Sequence, residues 1–287
     1  MIKLVECPRD AMQGIRVFIP TEQKVELMKS LLQCGFDTLD CGSFVNPSAV
    51  PQMADTAEVI EQIAETAAEN NTRLLVIAAN ERGAVRASAF SGIQCIGYPF
   101  SVNETFQRRN TNSDRNNAFI TLQKIHSIAQ AAGKQTVAYI SMAFGNPYGE
   151  EYNTAEVIEW AHRMAGIGVQ TISLADTVGS ANETDIAYLF SKLSADLPQI
   201  EWGAHFHAVP GQWTSKVEAA YQHGCRRFDG AVLGFGGCPF AKDQLTGNVP
   251  MEEMVDWFNG LIDTGIDVAR LKESVSIAGR VFNPVID

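Results

Sequence analysis

"TAEVIEWAHRMAGIG", residues 154–168, runs directly into "VQTISLADT", residues 169–177. The first piece reads as an amphipathic helix ending on glycine. The second reads as a short apolar strand. The same unit recurs along the chain. "TEQKVELMKSLLQCG" (21–35) precedes "FDTLDCGSF", and "DTAEVIEQIAETAAENN" (55–71) precedes "TRLLVIAAN". "ERGAVRASAFSG" (81–92) precedes "IQCIGYPFSV", and "NNAFITLQKIHSIAQAAG" (116–133) precedes "QTVAYISMAF". "ETDIAYLFSKLSADLP" (183–198) precedes "QIEWGAHFH", and "SKVEAAYQHG" (215–224) precedes "CRRFDGAVLGFGG". With the opening "IKLVEC" (2–7) these make eight strands.

Helical spacing shows in Val25, Met28, Leu31 and Leu32, and Gly35, Gly92, Gly133 and Gly224 suit the left-handed position that ends a helix. Strands alternating with helices of this length pair in parallel through crossovers. An open doubly wound sheet is the rival arrangement. Eight units at near-even spacing favour an α/β chain folded as a closed (β/α)8 TIM barrel. The tail "DVARLKESVSIAGRVF" (267–282) reads as an extra C-terminal helix. No linker or low-complexity stretch interrupts the pattern, so residues 1–287 are expected to form a single TIM-barrel catalytic domain.

Bulk properties narrow the partners. A net charge of −11, with basic doublets only at Arg108–Arg109 and Arg226–Arg227, excludes a nucleic-acid surface. No apolar run approaches the roughly 18 residues that span a bilayer. The start "MIKLVECPRD" lacks the apolar core of a signal peptide, and the expected location is the cytoplasm. The cysteines at 7, 34, 41, 95, 225 and 238 form no C-x-x-C pair and are expected as reduced thiols.

A barrel does its chemistry at the C-terminal ends of its strands. Those ends carry Arg9 and Asp10, Asp40, Asn80, Asn103 and Glu104, Ser141, Asp176, and His205 with His207. "TRLL", "CRRF" and "QTVA", at strand starts, place polar groups at the opposite face. Alternate residues of a strand share a face, so His205 and His207 project together. They read either as a metal-binding pair or as two hydrogen-bonded strand histidines. Strands one and seven flank the same mouth, which makes Asp10 the best third ligand. One carboxylate and two imidazoles suit Mg²⁺, Mn²⁺, Co²⁺ or Zn²⁺. Arg9 is placed either to stabilise a developing oxyanion or in a surface ion pair. In "GFGGCPFAKDQLTGN" (234–248) the glycines permit a loop closing over a ligand. Cys238 there reads as an acid or nucleophile, or as an incidental thiol. Asn248 reads as a helix cap or as a metal ligand through its amide oxygen.

"VECPRDAMQ" (5–13), "SFVNPSAVPQMAD" (43–55), "ISLADTVG" (172–179), "HFH" and "GFGGCPFA" with the later "GN" resemble the 3-hydroxy-3-methylglutaryl-CoA lyase family. The resemblance spans nearly the whole chain. "PRD" with H-x-H is also similar to the wider barrel metallolyases. The resemblance implies retro-Claisen cleavage of 3-hydroxy-3-methylglutaryl-CoA to acetyl-CoA and acetoacetate, with Mg²⁺ or Mn²⁺. It implies that Asp10, His205, His207 and Asn248 hold the metal. His205 would be the base, with Asp10 the alternative. Arg9 would stabilise the enolate oxygen, Cys238 would protonate carbon, and Gln13 would position Arg9 or substrate. Asp176 matches the family's sixth-strand aspartate.

Four positions depart: Asp40 for the usual glutamate, Ala208 for aspartate, Ala11 for glycine, and a longer loop before Asn248. The partner is then an acyl-CoA, with Arg108, Arg109 and Lys242 as candidate phosphate contacts, and a homodimer is expected by analogy. The alternatives are a related aldolase or Claisen-condensing synthase of the citramalate or isopropylmalate type, and a non-catalytic ligand-binding barrel.

Overall fold

A computed structural model describes residues 2–237 and 246–283. Cys238 and Lys242 lie outside the described residues. Eight parallel strands form the barrel: β1 Lys3–Glu6, β2 Thr38–Ser43, β3 Arg73–Ile77, β4 Ile93–Ser101, β5 Gln135–Ser141, β6 Thr171–Asp176, β7 Glu201–Ala208 and β8 Arg227–Gly230. Each pairs with its sequence neighbour, and β8 returns to β1 through Val5↔Asp229 and Glu6↔Gly230. The expected (β/α)8 closure is therefore present. A two-residue strand, β9 Gly247–Asn248, adds antiparallel to the end of β7 with His207 opposite Asn248.

The strands carry near-continuous buried runs, as strands covered on both faces must. The helices around them are α1 Pro8–Gln13, α2 Thr21–Leu32, α3 Thr56–Glu69, α4 Glu81–Ser88, α5 Glu104–Thr111, α6 Arg115–Ala131, α7 Thr154–Gly166, α8 Glu183–Asp196, α9 Thr214–Gln222, α10 Met251–Asn259 and α11 Val268–Phe282. The C-terminal α11 is the expected extra helix. It docks on α2 through Ser274 Oγ, which meets Ser30 Oγ at 2.6 Å. Among the described residues the cysteines are all free and buried.

Three local readings change. "PRDAMQ" is not a strand end that turns but the short helix α1, begun by Pro8 at its first turn. Asn80 and Asn103 face their own helices: their side chains accept the backbone N–H of Gly83 and Phe106 and so cap α4 and α5. Asn248 caps nothing. It lies in β9, and Pro250 occupies the cap position of α10.

The barrel interior is divided. Leu75, Ile77, Cys95, Val137 and Tyr139 form an apolar cluster on the β3–β5 side. The β6–β8 side instead buries Ser173, Arg227 and Asp229. Gly97 lets the apolar half close, since a Cβ there would lie 2.6 Å from Ile77 Cδ1 and 3.2 Å from Tyr139 Cε2. Gly97→Ala overpacks this wall and is expected to cost about 1–3 kcal/mol, read as a lower urea midpoint at unchanged slope.

Candidate metal centre at the barrel mouth

Period-two geometry turns His205 and His207 inward and Phe206 outward, where it packs edge-on against Phe144 at 5.7 Å. The imidazoles face each other with their Nε2 atoms 3.3 Å apart. Each ring's other nitrogen is committed. His207 Nδ1 lies 3.0 Å from the Thr177 carbonyl oxygen, which only accepts. His205 Nδ1 lies 3.3 Å from Asp229 Oδ2, again an acceptor. Both Nδ1 atoms therefore carry hydrogen, and both Nε2 lone pairs point into the same space. Asp10 Oδ2 adds a third acceptor 3.8 Å from His207 Nε2. Acceptors converging this closely call for a proton or a cation between them.

The electrostatics agree. Burial opposes the charged form of His205, but Asp229 and Asp10 outweigh it and raise the pKa above the ordinary histidine value. Burial would raise Asp10, yet Arg9 and both histidines hold it well below the usual carboxylate range.

Helix α1 presents Asp10, Arg9 and Gln13 on one patch. Arg9 Nε donates to Asp40 Oδ2 at 3.0 Å, and Nη2 meets the same oxygen. Its Nη1 reaches Asp10 Oδ1 at 2.9 Å and Gln13 Oε1 at 3.0 Å. Gln13 Nε2 donates to Asp10 Oδ1 at 2.7 Å. Burial opposes charge on Arg9, but Asp40 and Asp10 hold the guanidinium firmly protonated. Burial raises Asp40 above its ordinary value despite Arg9.

Asn248 completes the cluster from β9. Its Nδ2 donates to Asp10 Oδ2 at 2.7 Å and to Phe235 O at 2.9 Å. Its buried Oδ1 has no hydrogen-bond partner among the described residues. Gly236, at φ +109°, walls this corner, and a Cβ there would come within 2.4 Å of Asn248 Nδ2. Only glycine leaves room for the amide.

Among the described residues two ligand sets have donor atoms within 4.8 Å of one another: Asp10, His205 and His207, and Cys7, His205 and Asp229. The first fits a divalent cation. It offers inward lone pairs and an ionised carboxylate; Asn248 turns its Nδ2 toward Asp10 Oδ2, and its buried Oδ1 is left without a partner among the described residues. The second does not. Burial and then Asp229 push the Cys7 thiol well up, so it stays protonated, and the Nδ1–H of His205 lies between ring and carboxylate.

Asp229 is the site residue that sequence reading missed. Its only signal is register: two residues after Arg227, it lies directly opposite His205. Arg227 opens β8, at the strand-start end where it was expected, and is buried there at 1% exposure.

Asp176 stands outside the converging set. Its carboxylate accepts the N–H groups of Ser180 and Ala181 and pairs with Lys216 Nζ at 2.7 Å. Lys216 also reaches Gly179 O and His207 O. The network thus fixes the loop that supplies Thr177 O to His207. Glu6 accepts the Val232 N–H and Glu252 the Leu233 N–H, which ties down the start of the glycine-rich stretch, where Leu233 adopts φ +63°. Arg108 pairs with Glu104 at the surface, and Arg109 stacks on Tyr148 at 4.7 Å. Ala208 is buried and pairs with Gly247.

A family profile described as HMGL-like matches residues 2–277. A mouse protein named 3-hydroxy-3-methylglutaryl-CoA lyase, cytoplasmic, is 32% identical over 284 residues, covering 98% of this chain and 81% of its own. The mouse mitochondrial hydroxymethylglutaryl-CoA lyase is also 32% identical, over 98% of this chain and 86% of its own. Among solved structures, hydroxymethylglutaryl-CoA lyase from Pseudomonas aeruginosa superposes with a TM-score of 0.90 at 30% identity, covering 98% and 93% of the two chains. An HMG-CoA lyase from Acinetobacter baumannii, in complex with coenzyme A and 3-methylmalate, gives 0.89 at 28% identity, covering 98% and 91%.

With a cation between Asp10, His205 and His207, the hydrogen-bond pattern would give the surrounding residues separable roles. His207→Ala removes a donor and is expected to abolish Mn²⁺ binding measured by calorimetry. Asp229→Asn leaves the donors in place but loosens His205, and should weaken Mn²⁺ about 10–100-fold.

Proposed function

The chain belongs to the HMGL-like family, and we propose that it is a divalent-cation-dependent carbon–carbon lyase that cleaves 3-hydroxy-3-methylglutaryl-CoA to acetyl-CoA and acetoacetate. The observation that carries the reading is the pair of Nε2 lone pairs 3.3 Å apart, with Asp10 beside them. Residues 1–287 serve as one catalytic barrel domain. Asp10, His205, His207 and Asn248 hold the cation. Two imidazoles, a carboxylate and an amide oxygen fit Mg²⁺ or Mn²⁺, with Zn²⁺ and Co²⁺ as weaker choices. A bound cation would supply Lewis acidity that makes the C3 hydroxyl easier to deprotonate.

The chain's own residues account for the proton and charge movements. His205, or Asp10 as the alternative, would accept the C3 hydroxyl proton; His205 can take it only at Nε2, because its Nδ1–H is committed to Asp229, and so only while that nitrogen is off the cation. The C–O bond becomes a carbonyl as the C2–C3 bond breaks. Its electron pair moves to the thioester, giving an enolate. Arg9 stabilises the enolate oxygen. Asp40 and Gln13 fix its guanidinium from two sides, so orientation is set before substrate arrives. Cys238 delivers a proton to the enolate carbon, which becomes the methyl of acetyl-CoA. Asp176 acts one step back, by holding the loop behind His207.

An acyl-CoA substrate is supported by the coenzyme A bound to the Acinetobacter enzyme. No helix among the described residues is long and apolar enough to cross a membrane, and the named relatives include cytoplasmic and mitochondrial forms. We assign the cytoplasm and a homodimer, the latter to be read by sedimentation against the 31.3 kDa chain.

The deciding assay follows acetyl-CoA release from 3-hydroxy-3-methylglutaryl-CoA with Mn²⁺ and with chelator. Release only with the cation is expected. A folded, Mn²⁺-loaded sample that releases none moves the assignment to a related aldolase or Claisen-condensing synthase, consistent with Asp40 and Ala208. Cys238→Ala should lower turnover by roughly 10²–10⁴-fold while Mn²⁺ affinity stays unchanged.

A further inference from the structure

Beneath His205 the barrel buries polar atoms that none of the steps above uses. Tyr139, Ser173, Gly203 and Arg227 lie side by side on β5, β6, β7 and β8, as Tyr139↔Ser173, Ser173↔Gly203 and Gly203↔Arg227. Asp229 sits one inward position higher, opposite His205. Tyr139 Oη, Ser173 Oγ, Arg227 Nε, Arg227 Nη2 and Asp229 Oδ1 are all buried, and none has a hydrogen-bond partner among the described residues. Ser173 is fully buried and Arg227 is 1% exposed. Arg227 Nε is 3.9 Å from Asp229 Oδ1, beyond direct hydrogen-bonding reach.

Five such atoms on one patch far exceed the sporadic orphans of a native interior. Their chemistry also selects the ligand. A cation is repelled by Arg227, and an anion by the Asp229 carboxylate. A neutral molecule that both donates and accepts satisfies guanidinium N–H groups, a carboxylate oxygen and two hydroxyls together. Space at this rung is set by Gly203, where a Cβ would fall 2.9 Å from Ser173 Oγ and 3.3 Å from Arg227 Cδ.

We infer that this rung is an internal hydration site, in which water bridges Arg227, Asp229, Tyr139 and Ser173. Asp229 is then held at both oxygens: Oδ2 takes the Nδ1–H of His205, and Oδ1 takes water backed by Arg227. A carboxylate fixed at both ends cannot swing away from the imidazole. The hydration site does not depend on which substrate the mouth accepts.

The sign of a stability change tests this. If the interior is dry, Tyr139→Phe and Ser173→Ala each delete an unsatisfied buried hydroxyl, and the melting temperature rises or stays level. If water is bound, each deletion removes a satisfied partner, and the melting temperature of the cation-free full chain falls by roughly 2–4 °C. Both changes remove a single oxygen, so the fold is retained. A high-resolution crystal structure of the unsubstituted protein should show ordered water within hydrogen-bond distance of Arg227 Nε or Nη2 and of Asp229 Oδ1. A level or higher melting temperature in both variants, or a crystal structure with no water at this rung, overturns the inference.

Discussion

Two lone pairs held face to face are the constraint on which the site depends. Imidazoles with free rotation would not keep their Nε2 atoms 3.3 Å apart. Thr177 O and Asp229 fix the rings by taking the two Nδ1–H groups. Each comes from a strand neighbouring β7, Thr177 just after β6 and Asp229 on β8. The barrel therefore enforces an arrangement that local sequence would not hold, and the mutual repulsion is relieved when a positive charge arrives. Binding affinity is in this sense stored in the fold.

Closure of the sheet is what brings the remaining groups to that point. Asp10 belongs to the helix after β1, which reaches β7 only because β8 pairs with both. Asn248 arrives by a different route, on a two-residue strand added to β7 itself. The Arg9–Asp40 pair joins α1 to β2. Its cost of burial is offset by a bidentate geometry and by Gln13 on the third side. Rigid strands carry the histidines, and short segments carry the rest.

The eightfold alternation was legible because it repeats over long elements whose periods differ plainly, 3.6 against 2. The histidine pair, Asp10, Arg9 and Asp40 were read from strand-end placement, Asn248 from the glycine-rich loop, and Gln13 from the family resemblance alone. Other features lacked a comparable signal. Helix α1 has six residues and begins with proline, too short for periodicity to register. Strand β9 has two residues. Asn80 and Asn103 look like mouth residues until their side chains are seen to cap the next helix, since a strand end and a helix cap share the same few positions. Asp229 was hidden because β8 stops at Gly230, whereas the apolar pattern continues to Gly237. Register, not composition, puts it behind His205.

The departures from the family pattern fall beside the converging donor atoms rather than on them. Ala208 lies beyond His207 on β7, buried against Gly247, and donates nothing to the converging set. Asp40 keeps its charge and spends it on Arg9. Ala11 is buried on α1, with its neighbours Arg9, Asp10 and Gln13 still interlocked. Each touches the converging set at one remove: Asp40 through Arg9, which donates to Asp10, Ala11 as the residue after Asp10, and Ala208 through Gly247, next to Asn248. Asp40 and Ala11 bear on the placement of Arg9, and Ala208 lines the strand end beyond His207. The two histidine rings are held from neither Asp40, Ala11 nor Ala208 but by Thr177 O, just after β6, and by Asp229 on β8.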